Sequence, residues 1–463
     1  MLRGILRSQS SQWTKGFRQT VRQYSSSKSS DIADKAVESA FKSSATWKNV
    51  PVEEKRDIFY NASKLLKERR EELVKLTNQE VGIPSLFAGF FVDDAVDFMT
   101  TMGDLVTNSG YGQFLPPVKG RQPIVVREPI GPVFGIVPWN APTILGLRAA
   151  ACPLAAGCSV VVKTSEYTPL TQRLTLQTLT DAGVPEGVVN ILEVPLEDSP
   201  AVVEQVISDF RIRKVNFTGS GRVGAIVAGL AGTHLKPILL ELGGKAAAIV
   251  DETADFETAA RNIVLGAWAN SGQICMSTER IFVTKEAADG FNKAITKVSH
   301  EELNQDYLQC RQISPVNSKR IEQLAKDAVS KGATSIVNGI PKAKDGDVSK
   351  SILTNVSQDS ELFDSETFAP LAFFNIVDSV DQAIDLVNSS KFGLNSSVWT
   401  ADTAKGIEIA RKINSGTVHI NGNTVFDHGS VPHGGVKNSG FGRFNGQWGI
   451  DEFTVIKTIT YPV

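Results

Sequence analysis

Lys214-Val215-Asn216-Phe217-Thr218-Gly219-Ser220-Gly221-Arg222-Val223-Gly224 joins a short apolar strand to a G-x-G-x-x-G turn, and residues 225–231 continue it in a helical pattern. Strand, glycine turn and helix in that order are the setting in which this motif binds a dinucleotide. The glycines allow the turn, and the unpaired N–H groups at the helix start, with the helix dipole, receive a pyrophosphate. A tight turn without a ligand is the competing reading. The dinucleotide reading also asks for an acid about 20 residues on to hold a ribose, and Glu241 stands there. Glu166 competes, because Ser159-Val160-Val161-Val162-Lys163-Thr164-Ser165-Glu166 delivers Lys163 and Glu166 past the carboxyl end of another strand. Spacing alone leaves the ribose ligand open between Glu241 and Glu166.

Outward from this motif, strand-like runs at 133–137, 159–162, 188–194, 214–217 and 237–240 alternate with helical segments, the pattern of a parallel sheet covered on both faces. A second series at 246–250, 280–283, 371–377 and 417–420 indicates another α/β unit. Ahead of both, the spacing predicts a helix from Ser30 onward and one long charged helix over 52–79. Residues 122–127 read as a strand, and the threonine-rich end, 452–463, as an edge strand that pairs with another subunit.

A chain of 463 residues with 41% apolar content supports two or three domains. Its longest apolar run, 149–162, is interrupted by Pro153 and Gly157 and falls short of the ~18 residues that span a bilayer. A net charge of −2, with no basic stripe, gives no reason to expect nucleic acid. The first thirty residues differ: Arg3, Arg7, Lys15, Arg18, Arg22 and Lys28 stand among serines and glutamines, with no acid before Asp31. That composition predicts a mitochondrial transit peptide over residues 1–24, cut after Tyr24 in Arg22-Gln23-Tyr24-Ser25, and a matrix location. Cleavage takes the net charge from −2 to −7.

Four cysteines, Cys152, Cys158, Cys275 and Cys310, are too few for an oxidised secreted framework in a chain this long. Cys152 and Cys158 lie in an apolar stretch and read as core filling. Cys275 follows Gly272-Gln273-Ile274, and Glu241, 34 positions earlier, opens Glu241-Leu242-Gly243-Gly244-Lys245. A thiol and a carboxylate in glycine-bracketed turns, behind a nucleotide signal, suggest redox chemistry through a covalent thioester. No metal site is expected, because His428 and His433 match no compact ligand spacing.

From about Asp31 to its end the chain resembles the NAD(P)-dependent aldehyde dehydrogenases. The resemblance rests on ordered motifs: Pro138-Trp139-Asn140-Ala141-Pro142, Lys163-Thr164-Ser165-Glu166, Phe217-Thr218-Gly219-Ser220, Glu241-Leu242-Gly243-Gly244-Lys245, Gly272-Gln273-Ile274-Cys275, Glu366-Thr367-Phe368-Ala369-Pro370 and Pro432-His433-Gly434-Gly435-Val436-Lys437-Asn438-Ser439-Gly440. It implies Cys275 as nucleophile, Glu241 as general base, and the Asn140 side chain with the Cys275 N–H as oxyanion hole. It places Lys163 and Glu166 on the adenosine ribose, Ser220 near the pyrophosphate, and Glu366 with Phe368 at the nicotinamide ribose and ring. Trp139, Gly219, Gly224 and Leu242 join the cofactor contacts. With Glu166 facing the 2′ position, NAD is expected over NADP.

Cys275-Met276-Ser277-Thr278-Glu279-Arg280 and the segment from Val436 to Phe444 look most like the salicylaldehyde and vanillin dehydrogenases. An aromatic aldehyde is therefore the expected substrate, and Trp139 and Trp268 read either as walls of an apolar aromatic pocket or as scaffold. Ala369 stands where the motif commonly has glycine, Phe444 where many members carry glutamate, and His433 where a phenylalanine facing the substrate is expected. A coenzyme A-acylating relative and a non-catalytic descendant are the alternatives, and Glu241 argues against the first because it would expose a thioester to water. The implied organisation is an NAD-binding domain over 31–111 and 130–241, a catalytic domain over 242–420, and an arm over 112–129 and 444–463 that makes a homo-oligomer.

Overall fold

The computed structural model describes residues 27–463 apart from 109, 304, 306–311 and 345. Side chains on successive strand residues point to opposite faces, and here both faces are apolar. Val133, Val160 and Val162 enter one core beneath the first large sheet, while Phe134, Ile136 and Val161 enter the core on its other side. Helices Val52–Glu68, Ser85–Leu105, Pro142–Ala156 and Pro169–Asp181 cover the first face. Ser27–Trp47, Ser199–Ser208 and Gly221–Thr233 cover the second.

This sheet has six strands, in the order Gly440–Phe441, Ile238–Glu241, Lys214–Thr218, Val133–Ile136, Val160–Lys163, Val189–Leu192. All neighbours are parallel except the first pair. The chain runs outward from Val133–Ile136 in one direction, then returns to the other side of that strand with Lys214–Thr218. The reversal opens a crevice at the carboxyl ends of those two strands, where ligands bind in such sheets.

The second sheet has seven strands, ordered Thr334–Val337, Ser351–Thr354, Leu371–Val377, Thr278–Thr284, Ala246–Val250, Asn395–Trp399, Thr417–Ile420, and is parallel apart from its first pair. The same alternation operates: Ala248, Val250, Ile281 and Val283 face one core, and Ala247, Ile249 and Phe282 the other. The expected α/β class is observed, with two covered, mainly parallel sheets. A smaller sheet pairs Arg121–Pro129 with Thr454–Pro462 over nine residues, and Gln113–Phe114 adds a third strand. The terminal strand is an edge strand, and its paired side is used within the chain. Among the described residues, no helix is long and apolar enough to cross a membrane.

The single helix expected over 52–79 is two, Val52–Glu68 and Arg70–Val81, divided at Arg69 with φ −87° and ψ 3°. Arg69 leaves the helix to donate to Thr178 (2.8 Å) and Asp181 (2.6 Å) on a neighbouring helix, a tertiary demand that periodicity does not encode.

The second sheet is tied to the loop over 366–368 by a buried ion pair. Lys245 Nζ lies 2.5 Å from Glu279 Oε2, and both side chains are buried. Glu279 also accepts from the backbone N–H groups of Thr367 (2.9 Å) and Phe368 (3.3 Å). Glu279→Ala leaves a buried ammonium unpaired, a change that costs about 3–5 kcal/mol. Chemical denaturation is expected to show that loss; a loss below about 1 kcal/mol would mean that the pair does not hold the loop.

Candidate active site

Strand Lys214–Thr218 runs into Gly219 and Ser220 and then helix Gly221–Thr233, with Ser220 as N-cap accepting from the Val223 N–H. The first N–H groups of that helix have no intrahelical partner. Gly224 is required by packing: a Cβ there would stand 2.4 Å from Leu242 Cδ2. Leu242 and Gly224 thus hold the helix against the turn that follows Glu241.

Glu241 ends strand Ile238–Glu241, and the Gly243-Gly244 turn beyond it meets two other segments. Gly244 N–H donates to Glu366 Oε1 at 2.9 Å. Burial pushes the Glu366 carboxyl up to about 8, aided by the nearby charge of Glu279 and opposed by the Gly244 hydrogen bond and Lys245.

Cys275 is presented by a constrained loop. Asn270, Ser271 and Gly272 have φ of 50°, 54° and 68°, three consecutive left-handed residues of which only glycine adopts the conformation freely. A Cβ on Gly272 would fall 2.1 Å from the Ala369 carbonyl oxygen. Asn270 Nδ2 donates to the Asn140 carbonyl (3.1 Å), and Asn140 Nδ2 donates to the Gln273 carbonyl (3.0 Å), so Asn140 and the cysteine loop hold each other. The second Asn140 amide proton is left for another acceptor. Burial raises the Cys275 thiol well above its ordinary value, and the charge and hydrogen bond of Glu241 raise it further, while Arg148 opposes them. Cys152 and Cys158 are fully buried, with thiols pushed up to about 11 by burial. Cys310 lies outside the described residues.

A cavity of about 360 Å³ opens at the crevice between the two strand ends. Trp139, Asn140, Gly219, Ser220, Glu241, Cys275, Glu366 and Phe368 line it. Gly224 and Leu242 lie behind the wall. Lys163 and Glu166 lie beyond Tyr167 at the end of strand Val160–Lys163, where Glu166 Oε1 accepts from Lys163 Nζ (2.8 Å) and Ser199 Oγ (2.7 Å). Burial opposes ionisation of Glu166, but the Lys163 charge and these hydrogen bonds outweigh it and hold the carboxyl below its usual value. Trp139 meets Phe368 edge-on at 6.1 Å and Tyr167 at 6.4 Å, which makes an aromatic rim.

Two expectations about the pocket fail. Trp268 is fully buried in the core under the second sheet and does not line the cavity. His433 is buried at 3% exposure behind Glu241, outside the cavity lining. Tyr167, Asn317 and Arg320 line the cavity without having been singled out; Arg320 donates to the carbonyls of Glu366 (2.9 Å) and Thr367 (3.1 Å). A buried ion pair between Arg148 and Asp427 was also missed, although an arginine bordering the longest apolar run was its visible sign.

A model of the aldehyde dehydrogenase family matches residues 11–459. The salicylaldehyde dehydrogenase of Pseudomonas putida is 38% identical over 435 residues, which cover 92% of this chain and 89% of that protein. The vanillin dehydrogenase of Pseudomonas sp. strain HR199 is 39% identical over 434 residues, with coverage of 92% and 89%. The crystal structure of a salicylaldehyde dehydrogenase from Pseudomonas putida G7, complexed with salicylaldehyde, matches at a TM-score of 0.89 with 36% identity, covering 93% of this chain and 90% of that one. Similar solved structures include complexes with NAD+ and with NADP.

These relatives are bacterial, which points to a non-mitochondrial protein and overturns the expected matrix location. The transit peptide expected at residues 1–24 lies outside the described residues, and the family match begins inside it, at residue 11. Arginine and serine without acids are equally the composition of a basic tail.

The raised Glu366 carboxyl has a consequence for stability. It titrates near 4.5 when unperturbed and near 8 in the folded chain, so the fold binds that proton more tightly. Its contribution is full below about pH 4.5 and is lost as pH rises through 8. Glu366→Gln keeps an acceptor for Gly244 and removes the titration. Without cofactor, the variant is expected to gain melting temperature relative to the parent between pH 5 and pH 9; parallel profiles would show that Glu366 ionises without penalty.

Proposed function

The chain belongs to the aldehyde dehydrogenase family, and from that premise we propose that it oxidises an aromatic aldehyde to the carboxylic acid with NAD, through a thioester on Cys275 that Glu241 hydrolyses. The observation that carries this reading is the meeting of Cys275, Glu241 and Asn140 on one cavity at the crevice of the first sheet. The thiolate of Cys275 adds to the aldehyde carbon, and the Asn140 amide and Cys275 N–H donate to the oxyanion, a contact often worth ~3–4 kcal/mol. A nicotinamide held beside Glu366 and Phe368 would supply the hydride acceptor for the resulting carbon centre. Glu241 then takes a proton from water as its oxygen bonds to the thioester carbon and the C–S bond breaks.

The residues fit a dinucleotide. Ser220 and the open start of helix Gly221–Thr233 suit a pyrophosphate, and Gly219 and Ser220 lie on the cavity wall. Glu166, held ionised by Lys163, suits a ribose hydroxyl and repels a 2′-phosphate, which favours NAD over NADP. The similarity to salicylaldehyde and vanillin dehydrogenases favours an aromatic substrate, and Trp139 supplies a flat apolar wall on the cavity. Residues 31–111 and 130–241 serve as the cofactor domain and 242–420 as the catalytic domain. The arm over 112–129 and 444–463, with the open edge of Thr454–Pro462, joins subunits.

Glu241→Gln is expected to release one NADH per site from benzaldehyde in a burst and then fall ~10²–10⁴-fold in steady turnover as acyl-enzyme accumulates. Loss of NAD binding in that variant would return Glu241 to the role of ribose ligand. Glu166→Gln is expected to reduce the NAD over NADP preference in kcat/KM by about tenfold. An unchanged ratio would remove Glu166 from cofactor choice, and a parent enzyme that prefers aliphatic aldehydes over benzaldehyde would overturn the aromatic assignment.

A further inference from the structure

From the cavity wall inward, four ionisable side chains stand in a row, Glu241, His433, Asp427 and Arg148, of which Asp427 is half-buried and the others buried. Arg148, from helix Pro142–Ala156, pairs with Asp427 Oδ2. Asp427 Oδ1 accepts from Asn445 Nδ2 at 2.9 Å and lies 3.8 Å from His433 Nδ1. On the other side of the ring, His433 Nε2 lies 3.7 Å from Glu241 Oε1. The ring is held from its backbone, since His433 N–H donates to the Phe444 carbonyl (2.9 Å) and Phe444 N–H donates back (2.8 Å).

Neither His433 Nε2 nor Glu241 Oε1 has a hydrogen-bond partner, although both are buried. A bridging water needs its two partners about 5 Å apart, so none fits between atoms at 3.7 Å. In the tautomer that carries its proton on Nδ1, on the Asp427 side, the ring turns the Nε2 lone pair towards Glu241. Two acceptors then face each other across a dry gap, an arrangement that is unfavourable until one of them holds a proton. The hydrolytic step supplies that proton.

We propose that His433 is a positioning residue for Glu241: oriented by Asp427, it receives on Nε2 the proton that Glu241 takes from the hydrolytic water. The inference rests on the reading of Glu241 as base. In the step, the water oxygen bonds to the thioester carbon, the C–S bond breaks with its electron pair left on Cys275 Sγ, and the water proton passes to Glu241 and on to His433. The imidazolium so formed is balanced by Asp427, whose carboxyl is held below its usual value by Arg148 and His433 against the cost of burial. The charged and titratable groups around the ring are Glu241, Asp427, Arg148 and His419; Asp94 adds its charge to Asp427 from helix Ser85–Leu105.

The test uses the full chain with benzaldehyde and NAD, and reads the NADH burst by stopped flow and the acyl-Cys275 adduct by intact mass. His433→Phe and His433→Gln are each expected to keep burst formation, to slow deacylation on the order of 10–100-fold per burst-active site, and to shift the acid limb of the deacylation pH profile. Because the burst counts competent sites, partial misfolding does not obscure the rate. Deacylation at the parent rate with an unmoved pH profile, while Glu241→Gln still stalls, would overturn the role of His433 alone. Normal deacylation in Glu241→Gln would overturn the base assignment itself.

Discussion

The site depends on a place where no Cβ fits. The turn after Glu241 belongs to the first sheet, and the cysteine loop and the Glu366 loop belong to the second. At their meeting point a Cβ on Gly244 would stand 2.4 Å from the Cys275 carbonyl oxygen, and one on Gly243 would stand 2.3 Å from the Glu366 carboxylate. The Cys275 carbonyl is backbone and cannot yield, so position 244 is closed to a side chain, whereas at 243 the contact is with the movable end of the Glu366 side chain. The two glycines therefore let a carboxylate from one sheet and a thiol from the other share one cavity wall, and the left-handed run Asn270, Ser271 and Gly272 turns the thiol towards it.

Bringing those groups together has an electrostatic cost, visible in the acids. Glu366 is pushed up to about 8 and the Cys275 thiol well above its usual value, each mainly by burial and each further by a neighbouring carboxylate. The cost is limited by cations placed behind the wall. Lys245 pairs with Glu279 and Arg148 with Asp427, so the backing of the site consists of paired charges, while Glu241 at its wall has no cation paired to it and keeps one oxygen, Oε1, without a hydrogen-bond partner. Paired groups hold their positions; unpaired groups remain able to exchange protons.

Much of this was legible in the residues. Apolar runs alternating with helical segments located five of the six strands of the first sheet and four of the seven of the second, and the ordered motifs located Cys275, Glu241, Asn140, Trp139, Ser220, Glu366 and Phe368, all of which reach the cavity. What escaped was decided by contacts distant in sequence. Trp268 reads like a pocket aromatic, yet its helix turns it into the core under the second sheet. The break at Arg69 comes from Thr178 and Asp181, about a hundred residues away. The row from Arg148 to Glu241 draws on four separate segments, and which of their residues meet is set by the fold. The basic amino-terminal segment failed for another reason, since composition describes a targeting signal and a solvated tail in the same terms.

The same row bears on how one carboxylate would serve both halves of the proposed thioester cycle. With Cys275 as a thiol, the Glu241 charge opposes thiolate formation, and that repulsion is reciprocal. Bonding of the sulfur to substrate carbon removes the conflict, because a thioester sulfur carries no charge. Glu241 is then left facing only the His433 ring on its buried side, with Asp427 and Arg148 beyond it. On the proposed mechanism, then, acylation keeps an anionic sulfur from forming beside the carboxylate while it takes a proton from water. Arg148, which opposes the rise of the thiol, favours the thiolate that the proposed first half requires, so a buried cation and a carboxylate on the same wall would serve the two halves in turn.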